Sequence, residues 1–144
     1  MATILIDLDG TLADVSHRLH HVQGRRKNWD AFFAGMAEDP LNAWCRELMR
    51  GMKALGHTIA IVSGRPDDYE REVRNWLTTH DAPFDRLLLR QAGDFRPDTV
   101  VKQEILHEHF DKDDILFIVD DRQGVVDMWR EQGLVCLQCE PHDC

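Results

Sequence analysis

Asp7 and Asp9 frame the string Asp7-Leu8-Asp9-Gly10-Thr11, and a second acidic pair, Asp120-Asp121, comes late in the chain. Carboxylates gathered at one point repel one another unless a divalent cation offsets them. Hard oxygen ligands suit Mg2+, which keeps several waters and shares a substrate phosphate. A carboxylate in such a place can attack phosphorus and carry the phosphoryl group, which makes Asp7 the candidate nucleophile. Asp9, two residues on, can protonate the leaving oxygen and later activate water. Gly10 and Thr11 can bring backbone N–H groups to a phosphate. Ser63 can donate a further hydrogen bond, and Lys102 can balance the anionic charge. The implied chemistry is phosphoryl transfer.

These residues are far apart in sequence, so the fold must bring them together. Five short apolar runs read as strands, at 3–7, 58–62, 86–89, 115–120 and 134–138. Most are continuous rather than alternating, as strands covered on both faces are. Helical patterns fall between them. One stripe is Leu41, Trp44, Leu48, Met52 and Leu55, with Gly56 as its C-terminal cap. The others are Tyr69, Val73, Trp76 and Leu77; then Val101, Ile105 and Leu106; then Val125, Val126 and Trp129, closed by Gly133. Strand and helix alternate, which predicts an α/β fold: a five-stranded parallel sheet with helices on both faces. Residues 14–40 break the alternation. Trp29, Phe32, Phe33 and Met36 keep helical spacing after Asn28, a suitable cap, and predict a minimal flap with one short helix within a single domain spanning 1–144.

In such sheets ligands sit beyond the carboxyl ends of the strands. Asp7 to Thr11 follow strand one, and Ser63-Gly64-Arg65 follow strand two. Lys102 is expected to open the helix after strand three, and Asp120-Asp121-Arg122 follow strand four. Carboxylates, a hydroxyl, a lysine and arginines are thereby expected at one edge.

The bulk properties exclude some functions. No run of 18 apolar residues occurs, so no membrane span is expected. Met1 to Asp7 carry no basic leader, which predicts a cytoplasmic setting. The formal net charge of −9 argues against sequence-independent binding along a nucleic-acid backbone, while leaving room for one strand end in a locally basic pocket. Cys45, Cys136, Cys139 and Cys144 are expected to be free thiols in that compartment.

The same residues resemble the four motifs of the haloacid dehalogenase (HAD) superfamily: Asp7-Leu8-Asp9-Gly10-Thr11, Ser63, Lys102 and Asp120-Asp121, in order and on the expected elements. The resemblance implies a Rossmann-like HAD fold with strand one in mid-sheet. It also implies Asp7 as nucleophile and Mg2+ ligand, and Asp9 as general acid/base that binds the metal through its carbonyl. Ser63 and Lys102 would hold the phosphoryl group, and Asp120 or Asp121 would complete the metal site.

Two longer stretches, 93–105 and 119–130, are similar to the 3′-phosphatase domain of bacteriophage polynucleotide kinase/phosphatases, as is Ile61-Val62-Ser63-Gly64-Arg65. This adds Arg18, Arg65, Asp98 and Asp121 to the implied site, with Gly64 and Arg122 beside it as substrate-binding residues. Two departures stand out. No GxxxxGK[ST] string occurs, so 5′-phosphorylation is not expected from these residues and a separate kinase or ligase partner is. Thr99 stands where a second acidic residue is expected.

The reading is a Mg2+-dependent phosphomonoesterase acting on a nucleic-acid 3′ end. A nucleotidase for nucleoside monophosphates is the alternative with the same chemistry. A non-catalytic module that binds phosphorylated ends is the alternative of another class, and the complete set of Asp7, Asp9, Ser63, Lys102 and Asp120 speaks against it. Three further features have bland readings. Arg25-Arg26-Lys27 reads first as a solvated loop, with a strand contact as the second possibility. Trp29, Phe32 and Phe33 read as packing rather than base stacking. Cys136, Cys139, His142 and Cys144 offer potential zinc ligands at cramped spacing, with Cys136 better read as a buried strand residue. His17, His20 and His21 receive no role.

Overall fold

A computed structural model of the chain describes residues 1–142. Five strands, β1 (Thr3–Ile6), β2 (Thr58–Pro66), β3 (Arg86–Arg90), β4 (Ile115–Arg122) and β5 (Cys136–His142), lie in the order β3-β2-β1-β4-β5. Every pairing is parallel, so β1 is the middle strand and all carboxyl ends share one edge. The crossovers contain α2 (Ala43–Ala54), α3 (Glu70–Thr79), α4 (Asp98–His109) and α5 (Gln123–Glu131), with α1 (Trp29–Ala34) in the flap.

Apolar residues in succession along β1 serve two cores. Ile4 and Ile6 pack on one face with Cys45 and Met49 of α2 and Val73, Trp76 and Leu77 of α3. Leu5 packs on the other with Val101, Ile105 and Leu106 of α4 and Val125, Val126 and Trp129 of α5. A strand buried on both faces has no polar side to show, which is why the run is not alternating.

The flap packs into the first of these cores. Phe32, Phe33 and Met36 belong to the same cluster as Ile4 and Met49. Asn28 caps α1 as predicted, its side chain accepting from Ala31 N–H at 3.0 Å. Turns of 3-10 helix flank α1 at Ser16–His21 and Met36–Glu38.

Three expectations shift. The stripe Leu41, Trp44, Leu48, Met52 and Leu55 holds in part: Leu41, Leu48 and Met52 pack partly buried against the core, whereas Trp44 and Leu55 face outward and Cys45 and Met49 take the deepest positions. Cys45 and Met49 are fully buried, while Trp44 is 46% and Leu55 70% exposed. The buried face of the helix thus runs along Cys45 and Met49, one turn apart, with Leu48 and Met52 at its border. Helix α4 begins at Asp98, after Pro97, so Lys102 sits in its second turn rather than opening it. Finally, β2, β4 and β5 run beyond their predicted ends, β5 spanning Cys136–His142 rather than 134–138, with register irregularities between Ser63 and Pro66 and between Asp120 and Arg122. The motif residues occupy these irregular ends, where a strand can re-aim its side chains.

Candidate active site

Asp7 leaves β1 at the shared edge, and its N–H is held by Val119 O at 3.0 Å. The chain then turns sharply. Gly10 has φ +84°, a left-handed conformation that side chains resist. Its N–H donates to Ala13 O at 2.9 Å and Thr11 N–H donates to Leu8 O at 3.3 Å. The backbone donors expected to meet a phosphate at Gly10 and Thr11 are therefore bonded within the loop. Thr11 instead reaches Asp7 through its hydroxyl, Oγ1 to Oδ2 at 3.0 Å. Gly10 has a second duty: a Cβ there would overlap the Asp121 carboxylate.

Lys102 joins the two acidic stretches. Its Nζ donates to Asp7 Oδ1 at 2.7 Å and to Asp120 Oδ2 at 3.0 Å. Asp120 also accepts from Trp129 Nε1 at 3.2 Å and from Asp121 N–H at 2.8 Å. Asp7, Asp120 and Asp121 are buried, and one oxygen from each lies within 4.8 Å of the others. Burial, and then the Asp120 carboxylate, push Asp7 well above the usual carboxylate range. Burial pulls Lys102 down, but Asp120 and Asp7 outweigh it and hold the ammonium charged.

Asp9 points into a second ionic group. Its Oδ1 accepts from Arg65 Nε at 2.9 Å and from Arg18 Nη2 at 3.1 Å. Burial raises its pKa, but the Arg65 guanidinium prevails and holds the carboxyl below its ordinary value. Both arginines also bond Asp39, a buried acid that sequence reasoning missed. His17 Nε2 lies 2.7 Å from the same carboxylate. Asp39 lies in the flap, away from any strand end, and no pattern in the sequence marks it.

Asp98 sits in a third group. It pairs with Arg90 and, at 2.9 Å, with Arg122 Nη1. Its carboxylate lies where a Cβ of residue 64 would be, so Gly64 is needed for room. Arg90 Nε also bonds Gly64 O at 2.8 Å, which ties β3 to the end of β2. Arg90 was not singled out, although it is the first residue after the predicted third strand, where the strand-end rule directs attention. Ser63 is buried at the same edge, and its Oγ accepts from Arg65 N–H at 3.1 Å.

The charges favour a cation. Asp7, Asp9, Asp39, Asp120 and Asp121 are five carboxylates facing three cations, Arg18, Arg65 and Lys102. With every group ionised, two negative charges remain in a largely buried space, which is the charge of one divalent ion. All-carboxylate donors fit Mg2+. Among the described residues these three aspartates are the one group arranged to hold a metal. Burial pushes the Cys136 and Cys139 thiols up to about 12 and about 11. Cys136 is buried in β5, as expected of a small strand residue, and Cys144 lies outside the described residues.

The family model described as the polynucleotide kinase PNKP phosphatase domain matches residues 1–144. Among solved structures, a chain of the Pnkp1/Rnl/Hen1 RNA repair complex is similar over 100% of this chain and 44% of its own, with TM-score 0.87 and 28% identity. A second structure of the Pnkp1/Rnl/Hen1 complex gives TM-score 0.85 and 29% identity over 100% and 48%. The chain thus spans less than half the length of these relatives. A haloacid dehalogenase-like hydrolase from Streptococcus pneumoniae, 16% identical over 96% and 84%, shares the fold at TM-score 0.70.

Proposed function

Because the chain belongs to the polynucleotide kinase PNKP phosphatase-domain family of HAD type, we propose that it removes the 3′-phosphate from polynucleotide ends through a phosphorylated Asp7. The observation that carries this reading is the convergence of Asp7, Asp120 and Asp121 on one point with Lys102 between them.

In the proposed cycle Asp7 attacks phosphorus and the bond to the 3′ oxygen breaks. Asp9 supplies the proton that the leaving oxygen needs. Water, deprotonated by Asp9, then attacks the phosphoryl group, releasing inorganic phosphate and restoring Asp7. Ser63 and Lys102 donate to the phosphoryl oxygens throughout. A Mg2+ held by Asp7, Asp120, Asp121 and the Asp9 carbonyl would offset the charge of both carboxylates and phosphate.

Asp9 carries a requirement of its own. Arg65 and Arg18 favour its ionised form at rest. An incoming phosphate dianion offers both guanidiniums a rival acceptor, since arginine pairs with phosphate in two-point fashion. As the arginines turn to the phosphate, Asp9 is freed to take up a proton. On this account Arg18 and Arg65 bind substrate and time the general acid.

The described residues contain no helix long and apolar enough to cross a membrane. Two similar structures are of chains in a Pnkp1/Rnl/Hen1 complex, one titled an RNA repair complex. That supports a role beside kinase or ligase activity carried elsewhere. The test is phosphate release from a 3′-phosphorylated oligonucleotide, a 5′-phosphorylated one and free nucleoside monophosphates, each with Mg2+ and with chelator. The 3′-phosphorylated strand should be preferred. Turnover of free nucleotides alone would replace the strand-end reading with a nucleotidase.

A further inference from the structure

The flap carries a surface that the proposed chemistry does not use. Residues 23–29 are all exposed and hold Arg25, Arg26 and Lys27 in succession, in a chain of formal net charge −9. None of the three forms an ion pair among the described residues. Three consecutive unpaired cations on an acidic protein make a local positive field.

The loop is fastened near the site. Asn28 N–H donates to His21 O at 2.6 Å, so residues 22–27 leave and return at one place. Arg18 secures both flanks. It lies in the 3-10 turn that enters the loop, and its Nη1 donates to Phe32 O at 2.7 Å in the helix that follows. The same guanidinium touches Asp9 at 3.1 Å. The basic loop is thereby anchored through the residue that contacts the proposed general acid.

Trp29 supplies a second kind of contact. It stands edge-on to Phe32 and stacks on Phe33, at 5.7 and 6.0 Å between ring centroids, yet stays 48% exposed. Lys27 Nζ lies 5.9 Å from its ring centroid. An aromatic face set among cations is the composition that holds single-stranded nucleic acid: charge on phosphates, ring on a base.

We propose that Arg25, Arg26, Lys27 and Trp29 form the contact surface for the single strand that leads to the 3′-phosphate. The inference rests on the strand-end reading above and extends it from the terminal phosphate to the nucleotides before it. It also gives an acidic protein a locally positive surface that a polyanion can meet.

Two measurements test it. The first is kcat/KM for a 3′-phosphorylated single strand and for a nucleoside 3′-monophosphate, in the parent and in Arg25→Ala/Arg26→Ala/Lys27→Ala. The ratio between the substrates should fall about tenfold, and the log–log salt dependence for the strand should flatten by about 2, at roughly 0.7 per lost phosphate contact. An unchanged ratio overturns the proposal. The second is anisotropy of a labelled strand on the Asp7→Asn protein with and without the triple change, which reads the surface without turnover. Equal affinity there also overturns it. Failure of the parent to hydrolyse the strand would instead count against the strand-end function.

Discussion

Asp39 and Asp9 are joined through the same two guanidiniums: Arg18 and Arg65 each donate to both carboxylates. Asp39 is buried with its side chain fully covered, whereas a quarter of the Asp9 side chain remains exposed. One acid therefore anchors the arginines from behind while the other meets what arrives. The flap reaches the shared carboxyl edge of the sheet by this route, with Trp76 Nε1 donating to Asp39 O at 3.0 Å to fix the anchor itself.

Removing the anchor leaves two buried guanidiniums short of a partner. Asp39→Ala should lower unfolding stability by about 3 kcal/mol, the scale for breaking a buried ion pair. Urea denaturation reads this directly. Asp39→Asn keeps the shape and should lose less stability, yet kcat/KM should still fall about tenfold as the arginines lose their fixed aim. Full activity in a stable Asp39→Asn protein would show that the arginines need no anchor.

Asp7 has a cost before it has a use. Its folded pKa is raised by burial and by Asp120. A raised carboxyl contributes stability that is fully present below the unfolded value of about 3.9 and is lost as pH rises through the folded value. The cation-free protein should therefore lose stability over that window. Asp7→Asn should remove this loss, melting higher than the parent near neutral pH in chelator while turnover drops about a thousandfold or more. A melting temperature for Asp7→Asn that merely tracks the parent from pH 4 to pH 8 would contradict the charge argument.

The same surplus charge predicts a response to metal. At a hundredfold excess over its dissociation constant, Mg2+ should stabilise the protein by about 2.7 kcal/mol, roughly 8 °C in melting temperature for a domain of this size. Asp120→Asn should lose most of the shift. No shift in the parent protein would remove the cation from the proposed cycle.

The strands and the edge they share were legible because the physics is local. An apolar run between helical stripes can hardly be anything but a covered parallel strand, and Asp7, Ser63 and Asp120 then fall at strand ends without further assumption. Side-chain partnerships were not legible. Nothing near Asp39 in sequence says that it will face Arg18 and Arg65, because that pairing depends on how the flap folds back. The buried face of α2 was legible only in part. Cys45, a residue type that is readily buried, lies wholly inside, while the larger Trp44 beside it stays 46% exposed. Gly10 reads in sequence as a glycine that lets the backbone approach a phosphate; the space it and Gly64 leave for the Asp121 and Asp98 carboxylates is visible only in the fold.

Gly10 offers a test that separates two effects. Gly10→Ala adds backbone strain at φ +84° and places a methyl on the Asp121 carboxylate. Gly24→Ala adds comparable strain at φ +88° with nothing within 4 Å of the new methyl. Strain of this kind costs about 1–3 kcal/mol wherever it occurs, so both proteins should be less stable. Only the first should bind Mg2+ more weakly, by tenfold or more, because only there must a carboxylate of the acidic cluster move. Isothermal titration calorimetry on the two variants reads the difference. Equal Mg2+ affinities would mean that Asp121 can shift without consequence, and the cation site would then have to be built on Asp7 and Asp120 without it.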